Sequence, residues 1–269
     1  GALPFYFSGA IPSLVDALFE SMSGFTTTGA SILTDIEVLP KSLLFWRAMT
    51  HWLGGMGIIV LALAILPLLG IGGMQLFQAE APGPTKDRLA PRIQDTARIL
   101  WSVYLVMTVI ETVLLMLGGM DFFDALTHSF ASLATGGFST RNASVGHYDS
   151  AYIDVVITVF MILAGISFTL HYRLLTGTIR PLIRDTELKT YLAIFLIATA
   201  MVAASLHGTC CDTIGESIRY ASFQTASILT TTGYATADYE KWPYVGQAVL
   251  FADEHDERRR RLARAGRRL

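Results

Sequence analysis

The hydrophobic residues of this chain lie in long apolar runs, and most charged residues lie in short islands between those runs. A helix that crosses a bilayer needs about 20 consecutive apolar residues. Four runs reach or approach that length, at positions 43–71, 99–118, 153–175 and 188–206. A fifth run, from Trp242 to Phe251, is too short to cross. The pattern predicts a polytopic, all-α membrane protein.

Three shorter, moderately apolar segments separate these runs, and each ends in a turn rich in threonine and glycine. They cover residues 11–25, 122–133 and 214–229, about half a membrane span each. The length fits a re-entrant helix that enters the membrane, turns and returns to the side it came from. Non-helical backbone at that depth is tolerated only where it is buried in protein or lines a water-filled cavity.

The three segments are copies of one another. Residues 16–31 and 124–139 align without a gap, which places Gly29 opposite Gly137. In the third copy Gly233 falls in register, with Phe223 matching Phe19. One Thr-Thr-Gly is a common turn, but three copies in register, each after a half-span and before an apolar run, predict a repeated functional element.

Ion selectivity explains such a turn. A potassium ion in a narrow pore exchanges its water shell for protein oxygens, which rings of backbone carbonyls supply. Glycine permits the unusual dihedrals that aim successive carbonyls at one axis, and a neighbouring threonine adds a hydroxyl oxygen. The half-helix in front points its negative C-terminal end toward the pore. We therefore predict a potassium-binding filter, with potassium as the only metal, formed by Thr27, Thr28, Gly29, Thr135, Gly136, Gly137, Thr231, Thr232 and Gly233.

Composition and charge agree with a membrane protein. Hydrophobic residues make up 52% of the 269 residues and charged residues 16%, against about a quarter charged in a soluble domain. Basic residues gather in 72–98 and after the third run, so these segments are expected in the cytoplasm and the Thr/Gly turns toward the outside. The histidines show no metal-ligand spacing. No convergent acid, base and nucleophile is apparent, so an enzyme is not expected.

Several stretches resemble a known family. They are FESMSGFTTTGA at 19–30, RAMTHWLGGMG at 47–57, ATGGFSTR at 134–141, LTTTGYATAD at 229–238 and the run at 78–93. With these residues the chain is similar to the Trk/Ktr/HKT superfamily of potassium transporters, most of all to the bacterial Trk-type membrane subunit. The resemblance runs from Gly1 to about Leu250.

This resemblance implies M1–pore-helix–M2 repeats around a pseudo-fourfold pore, with about three of the four repeats present. It implies a multi-pass homodimer in the bacterial inner membrane, a cytosolic ring of nucleotide-binding regulatory subunits as partner, and potassium symport without a bound cofactor or nucleic acid. Glycine rather than serine at Gly29 implies a preference for potassium over sodium. The segments expected are a first repeat at 1–71, a loop at 72–98, a second repeat at 99–175, a loop at 176–187, a third repeat at 188–251 and a tail at 252–269.

The sequence departs from the family pattern at both ends. The outer span expected before the first half-helix is missing, and after Phe251 the chain turns abruptly arginine-rich. This change resembles a shifted reading frame or a truncated gene; binding of the tail to anionic lipid or nucleic acid is the alternative. A truncated, non-conducting paralogue that acts only as an assembly partner is accordingly the second functional hypothesis.

A few polar residues within apolar runs invite separate interpretations. Arg47, His51 and Trp52 are expected to be anchors at the membrane interface. The glycines at 54, 55 and 57 are expected to allow close helix packing. Glu111 lies inside an apolar span, where an acid either serves transport or pairs within the bundle.

Overall fold

The computed structural model describes residues 1–57, 90–166, 170–171 and 185–250, and within these residues every regular element is a helix apart from one isolated bridge between His207 and Cys211. Side chains are described for all of these residues except 90–97 and 240. Most of the predicted loop at 72–98, nearly all of the loop at 176–187 and the tail at 252–269 lie outside the described residues, as do parts of the runs at 43–71 and 153–175.

Eight α-helices with defined bounds carry the fold in the described ranges. In chain order they are α1 (Leu3–Phe7), α2 (Leu14–Phe25), α3 (Lys41–Gly55), α4 (Ala90–Leu117), α5 (Phe122–Leu133), α6 (Ala151–Gly165), α7 (Thr186–Leu206) and α8 (Ile214–Leu229). Short 3₁₀ turns occupy Ser144–Tyr148 and Tyr239–Lys241, and residues 244–250 are again helical.

The half-span helices begin and end where local sequence signals place them. A side-chain oxygen caps the first turn of each: Ser13 for α2, Asp121 for α5 and Thr213 for α8. In α8 this becomes a full capping box, because Glu216 reaches back to the backbone of Thr213. The observed ends of α5 and α8 coincide with the predicted segments 122–133 and 214–229.

Two long helices coincide with two of the predicted spans. Within the described residues, two helical stretches are long and apolar enough to cross a membrane, Arg98–Leu117 in α4 and Thr186–Leu206 in α7. The described part of α4 begins at Ala90, inside the segment that the sequence had suggested as a loop. The helix α6 is apolar but shorter, with 15 residues in the part of the chain that the structure describes.

The core lies around α5 and α8, the second and third half-helices. The helices α4, α3 and α6 pack on α5, and α7 and α6 pack on α8. The buried side chains at the centre include Tyr104, Ile157, Met161, Phe223 and Tyr234. The outer face of α2 is instead exposed in the described structure, at Leu14, Val15, Leu18 and Met22.

Candidate functional site: three threonine-glycine loops

Each half-helix ends in the same hydrogen-bonded turn. After α2 the Thr27 amide donates to the Gly24 carbonyl and the Thr28 amide donates to the Ser23 carbonyl, at 3.0 and 2.9 Å. The loops after α5 and α8 repeat both bonds at equivalent positions, with lengths between 2.8 and 2.9 Å. This pair of bonds defines the Schellman motif, which satisfies carbonyls that a helix end would otherwise leave unpaired. We call the turns loop 1 (26–29), loop 2 (134–137) and loop 3 (230–233).

The residue in the left-handed position of each motif is threonine, where glycine is usual. The φ angles are 54° at Thr27, 53° at Thr135 and 58° at Thr231. Positive φ is a real outlier for a β-branched residue and costs about 1–3 kcal/mol. Strain of this kind, repeated at three equivalent positions, persists only where the surrounding structure holds the backbone in place.

The filter glycines take positive φ two residues further on. The angles are 77° at Gly29, 78° at Gly137 and 88° at Gly233. Each loop therefore has two left-handed residues with one residue between them. The sequence prediction singled out glycine for this conformational freedom, and the structure shows threonine sharing the same backbone region.

The three loops converge in space. A Cβ atom added to Gly29 would collide with the carbonyl oxygen of Gly136 and would lie 3.8 Å from that of Thr232. A Cβ atom on Gly137 would collide with the Thr232 carbonyl oxygen. Each of these glycines thus faces the carbonyl of the next loop, at the position just before that loop's own glycine. The nine residues singled out from the sequence therefore come from three distant segments and meet at one place.

Hydroxyl groups add further oxygens to loops 1 and 3. Thr26 and Thr28 bring their Oγ1 atoms to 2.8 Å from each other, and Thr230 and Thr232 do so at 2.7 Å. Loop 2 has Ala134 and Gly136 at these positions.

The ring of His51 explains the first of the two glycines of loop 2, because a Cβ atom on Gly136 would collide with that ring. In loop 2, the packed imidazole of His51 therefore takes the place of the threonine pair found in loops 1 and 3. A sequence alignment alone shows the missing threonine but not its replacement.

A buried polar side chain stands behind each loop at one repeated position, which the sequence analysis missed. The residues are Glu20, His128 and Gln224, all at most 2% exposed. Glu20 accepts hydrogen bonds from the Ser31 hydroxyl at 2.9 Å and the Ile32 amide at 3.1 Å. The repeat alignment could have found this position, since Glu20, His128 and Gln224 keep the register of the three glycines.

His128 repeats the arrangement in loop 2. Its Nδ1 lies 2.7 Å from the Asp124 carbonyl, which can only accept, so Nδ1 carries the proton. Its Nε2 therefore accepts from the hydroxyl of Ser139, 3.0 Å away. Ser139 is the repeat equivalent of Ser31. The third repeat has Ala235 there, and Gln224 Oε1 has no hydrogen-bond partner among the described residues.

The expectation that Arg47 and His51 are interface anchors is wrong. Their exposed fractions are 2% and 0%, so neither can reach lipid headgroups. Arg47 Cζ lies 3.5 Å from the centroid of the Phe138 ring. The ring of His51 stacks on Phe138 at 3.8 Å and 15°. Trp52 is half-buried and donates to the hydroxyl of Thr108 on α4 at 3.0 Å.

The glycines at the end of α3 allow a close approach, but to the half-helix ends. A Cβ atom on Gly54 would collide with the carbonyl oxygen of Phe25, and one on Gly55 would lie 2.7 Å from Ala134 Cα. Gly57 has positive φ of 70° and has no atom within 4 Å of such a Cβ among the described residues. The end of α3 is therefore wedged between loops 1 and 2.

A second hydrogen-bonded cluster joins the start of α5 to the chain that follows loop 2. The carboxylate of Asp124 accepts from Thr140 at 2.8 Å, Arg141 at 3.0 Å and Tyr148 at 2.8 Å. Burial and the bond to Asp124 raise the pKa of Tyr148 to about 12, so its phenol stays protonated and donates. The hydrogen bond to Asp124 likewise raises the pKa of the Arg141 guanidinium.

Glu111 is fully buried in α4, and neither carboxyl oxygen has a hydrogen-bond partner in the part of the chain that the structure describes. The hydroxyl of Ser132 on α5 lies close to this carboxyl group but does not reach the geometry of a hydrogen bond. Across the described ranges, His, Cys, Asp and Glu form no group of three or more that could hold a metal ion.

Half-span helices that end in converging loops between apolar helices define a class of fold, that of the pore-loop membrane proteins. The family model for the cation transport protein TrkH matches residues 1–252. The chain therefore belongs to the TrkH family, which confirms the resemblance and its helical membrane fold. The family consists of integral membrane transporters rather than enzymes.

Individual relatives show how far the match extends. The Trk system potassium uptake protein TrkH of Escherichia coli K12 is 45% identical over 249 residues, which are 90% of this chain and 51% of that protein. TrkI of Halomonas elongata is 37% identical, over 93% of this chain and 51% of its own length. The crystal structure of the potassium transporter TrkH from Vibrio parahaemolyticus superposes with a TM-score of 0.75 at 39% identity, over 90% of this chain and 49% of that one. The chain thus spans about half the length of these relatives.

Proposed function

We propose that this chain forms three sides of a potassium-selective pore for potassium uptake across the bacterial inner membrane. The observation that carries the proposal is the convergence of three loops with the same Schellman hydrogen bonds, in which the Gly136 carbonyl oxygen lies against Gly29 and the Thr232 carbonyl oxygen lies against Gly137. The relatives named as potassium uptake proteins support it. The filter comprises the nine threonine and glycine residues identified above.

The geometry suits a bare monovalent cation. Oxygens of backbone carbonyls replace the water shell of the ion. The C-terminal ends of α2, α5 and α8 meet at the loops and contribute partial negative charge there. No carboxylate is needed in the filter, and the buried Glu20 beside it is neutralised by Arg47 at 2.6 Å. Glycine at position 29 has no side chain and therefore leaves room for the carbonyl of loop 2. We expect this arrangement to favour potassium over sodium.

The order of contacts indicates a fourth loop. Gly29 faces loop 2 and Gly137 faces loop 3, whereas a Cβ atom on Gly233 has no neighbour within 4 Å among the described residues. A loop of the same kind on that side would present its carbonyl to Gly233 and its glycine to Thr28. The functional unit we propose is a ring of four loops in a homodimer, gated by cytosolic nucleotide-binding subunits and coupled by symport.

The test is growth of a potassium-uptake-deficient bacterial strain at low external potassium. The chain should restore growth, and Gly137→Asp should abolish it because the added side chain collides with loop 3. Gly215→Asp is the matched control: it makes the same change in the first turn of α8, where nothing lies within 4 Å among the described residues. Growth that survives Gly137→Asp would refute the assignment of the filter.

The open side at Gly233 favours one other function, a non-conducting assembly partner. In that case the chain would insert into the membrane, fail to restore growth alone, and change uptake only when an intact relative is co-expressed. Membrane insertion is checked by fractionation, so failure to insert is not mistaken for failure to conduct.

A further inference from the structure

One buried ion pair holds the exits of loops 1 and 2, by which we mean the residues that directly follow Gly29 and Gly137. Arg47 on α3 donates from Nε to the Glu20 carboxylate on α2 at 2.6 Å. The two side chains are 3% and 0% exposed. An ion pair this deeply buried contributes little net stability, because desolvation offsets most of the attraction. The role of the ion pair is therefore expected to lie in the positions that it fixes for the two loop exits.

On the loop 1 side, Glu20 fixes the chain immediately after the filter glycine. One carboxylate oxygen takes the Ser31 hydroxyl at 2.9 Å, and the other takes the Ile32 amide at 3.1 Å. The carboxylate thus binds three donors, counting Arg47. Because Ser31 is two residues from Gly29, a shift of Glu20 changes the position of the filter backbone.

On the loop 2 side, Arg47 fixes the equivalent segment. Its second nitrogen donates to the carbonyl of Ser139 at 3.1 Å, and its plane lies on the ring of Phe138. His51 covers the opposite face of that ring and accepts from the Phe138 amide through Nδ1 at 3.4 Å. Phe138 directly follows the filter glycine Gly137 and is clamped on both faces by α3.

We propose that Arg47 is a positioning residue for ion selectivity, which ties the exits of loops 1 and 2 together so that their carbonyl spacing changes only as a unit. This inference rests on the proposed function of the loops as a potassium filter. The guanidinium suits the task because its planar fork donates in two fixed directions and stacks on a ring, whereas lysine carries a single point charge. The carboxylate of Glu20 keeps the pair neutral beside a cation pathway.

The test measures stabilisation by the ion rather than stability alone. An ion that binds only the folded state raises Tm, so the chain in detergent should unfold at higher temperature in KCl than in NaCl. Arg47→Lys keeps the charge but loses the planar guanidinium and its stacking on Phe138. It should lose most of the difference in Tm between KCl and NaCl, which we call the K⁺-minus-Na⁺ difference. Glu20→Gln removes the charge and an acceptor, and it should do the same.

Arg219→Lys is the matched control. Arg219 donates from Nε to Asp154 at 2.7 Å and joins α8 to α6, and its second ion pair among the described residues is with Asp149 at 3.4 Å. This variant should lower Tm equally in both salts and keep the difference. Phe138→Leu, which retains the ion pair and removes the clamped ring, serves as a second test should Arg47→Lys fail to fold; it too should reduce the difference.

Two results overturn the inference, and they are distinguishable. A full K⁺-minus-Na⁺ difference in a folded Arg47→Lys or Phe138→Leu variant would show that the contact is merely structural and would leave the filter itself intact. No difference in the unsubstituted chain would overturn the proposed potassium filter, and this inference with it.

Discussion

Replacing Gly137 with alanine should destabilise the chain more than the same change at Gly233, although both glycines are in left-handed conformations. The φ angles are 78° and 88°. A residue with a Cβ atom pays about 1–2 kcal/mol to adopt this backbone region. That cost is common to both variants and cancels in their comparison.

The difference between the variants comes from the neighbouring loop. At Gly137 the new methyl group would collide with the backbone carbonyl of Thr232, and backbone cannot swing aside as a side chain can. Overpacking of this kind costs about 1–3 kcal/mol more. No atom lies within 4 Å of a Cβ on Gly233 in the part of the chain that the structure describes.

The assay is thermal unfolding of the purified chain in detergent, followed by circular dichroism. A free-energy gap of about 1–3 kcal/mol corresponds to a Tm gap of roughly 2–12 °C for a chain of this size. Gly215→Ala in α8 controls for added helix propensity and should leave Tm unchanged or slightly raised. Equal losses of Tm at Gly137 and Gly233 would refute the reasoning that the loop 3 carbonyl sets the cost.

Three further substitutions test the surroundings of the loops by the same Tm measurement. Tyr234→Phe removes the phenol that donates to the His128 carbonyl at 3.1 Å, and it should cost about 0.5–1.5 kcal/mol; an unchanged Tm would contradict that bond. Glu111→Met replaces a fully buried carboxyl that has no partner among the described residues, and it should raise stability by about 1–3 kcal/mol; a lower Tm would show that the acid is satisfied. Thr213→Ala removes the cap of α8 and should cost about 1 kcal/mol, whereas the same change at exposed Thr34, between α2 and α3, serves as its control.

The amino-acid sequence alone determined the helical repeats and the positions of the three threonine-glycine loops that we propose as the filter. The limits of α5 and α8 followed from an apolar half-span and the Thr/Gly turn behind it, and the structure adds a capping residue in front; all of these act within a few residues. Gly29, Gly137 and Gly233 could be aligned because a repeat leaves the same residues at the same spacing.

Only the tertiary structure decided what surrounds the loops. Arg47 and His51 are close to lipid-anchor positions in the sequence, yet they lie buried against Phe138, some 90 residues away in the chain. The contact between Gly29 and the Gly136 carbonyl likewise joins separate repeats. Local pattern carries no information about such pairs, because their energy arises only when helix packing brings distant backbone within a few ångströms. The conformation of each loop is thus determined by the sequence around it, whereas the arrangement of the loops relative to one another is set by the packing of α3, α5 and α8.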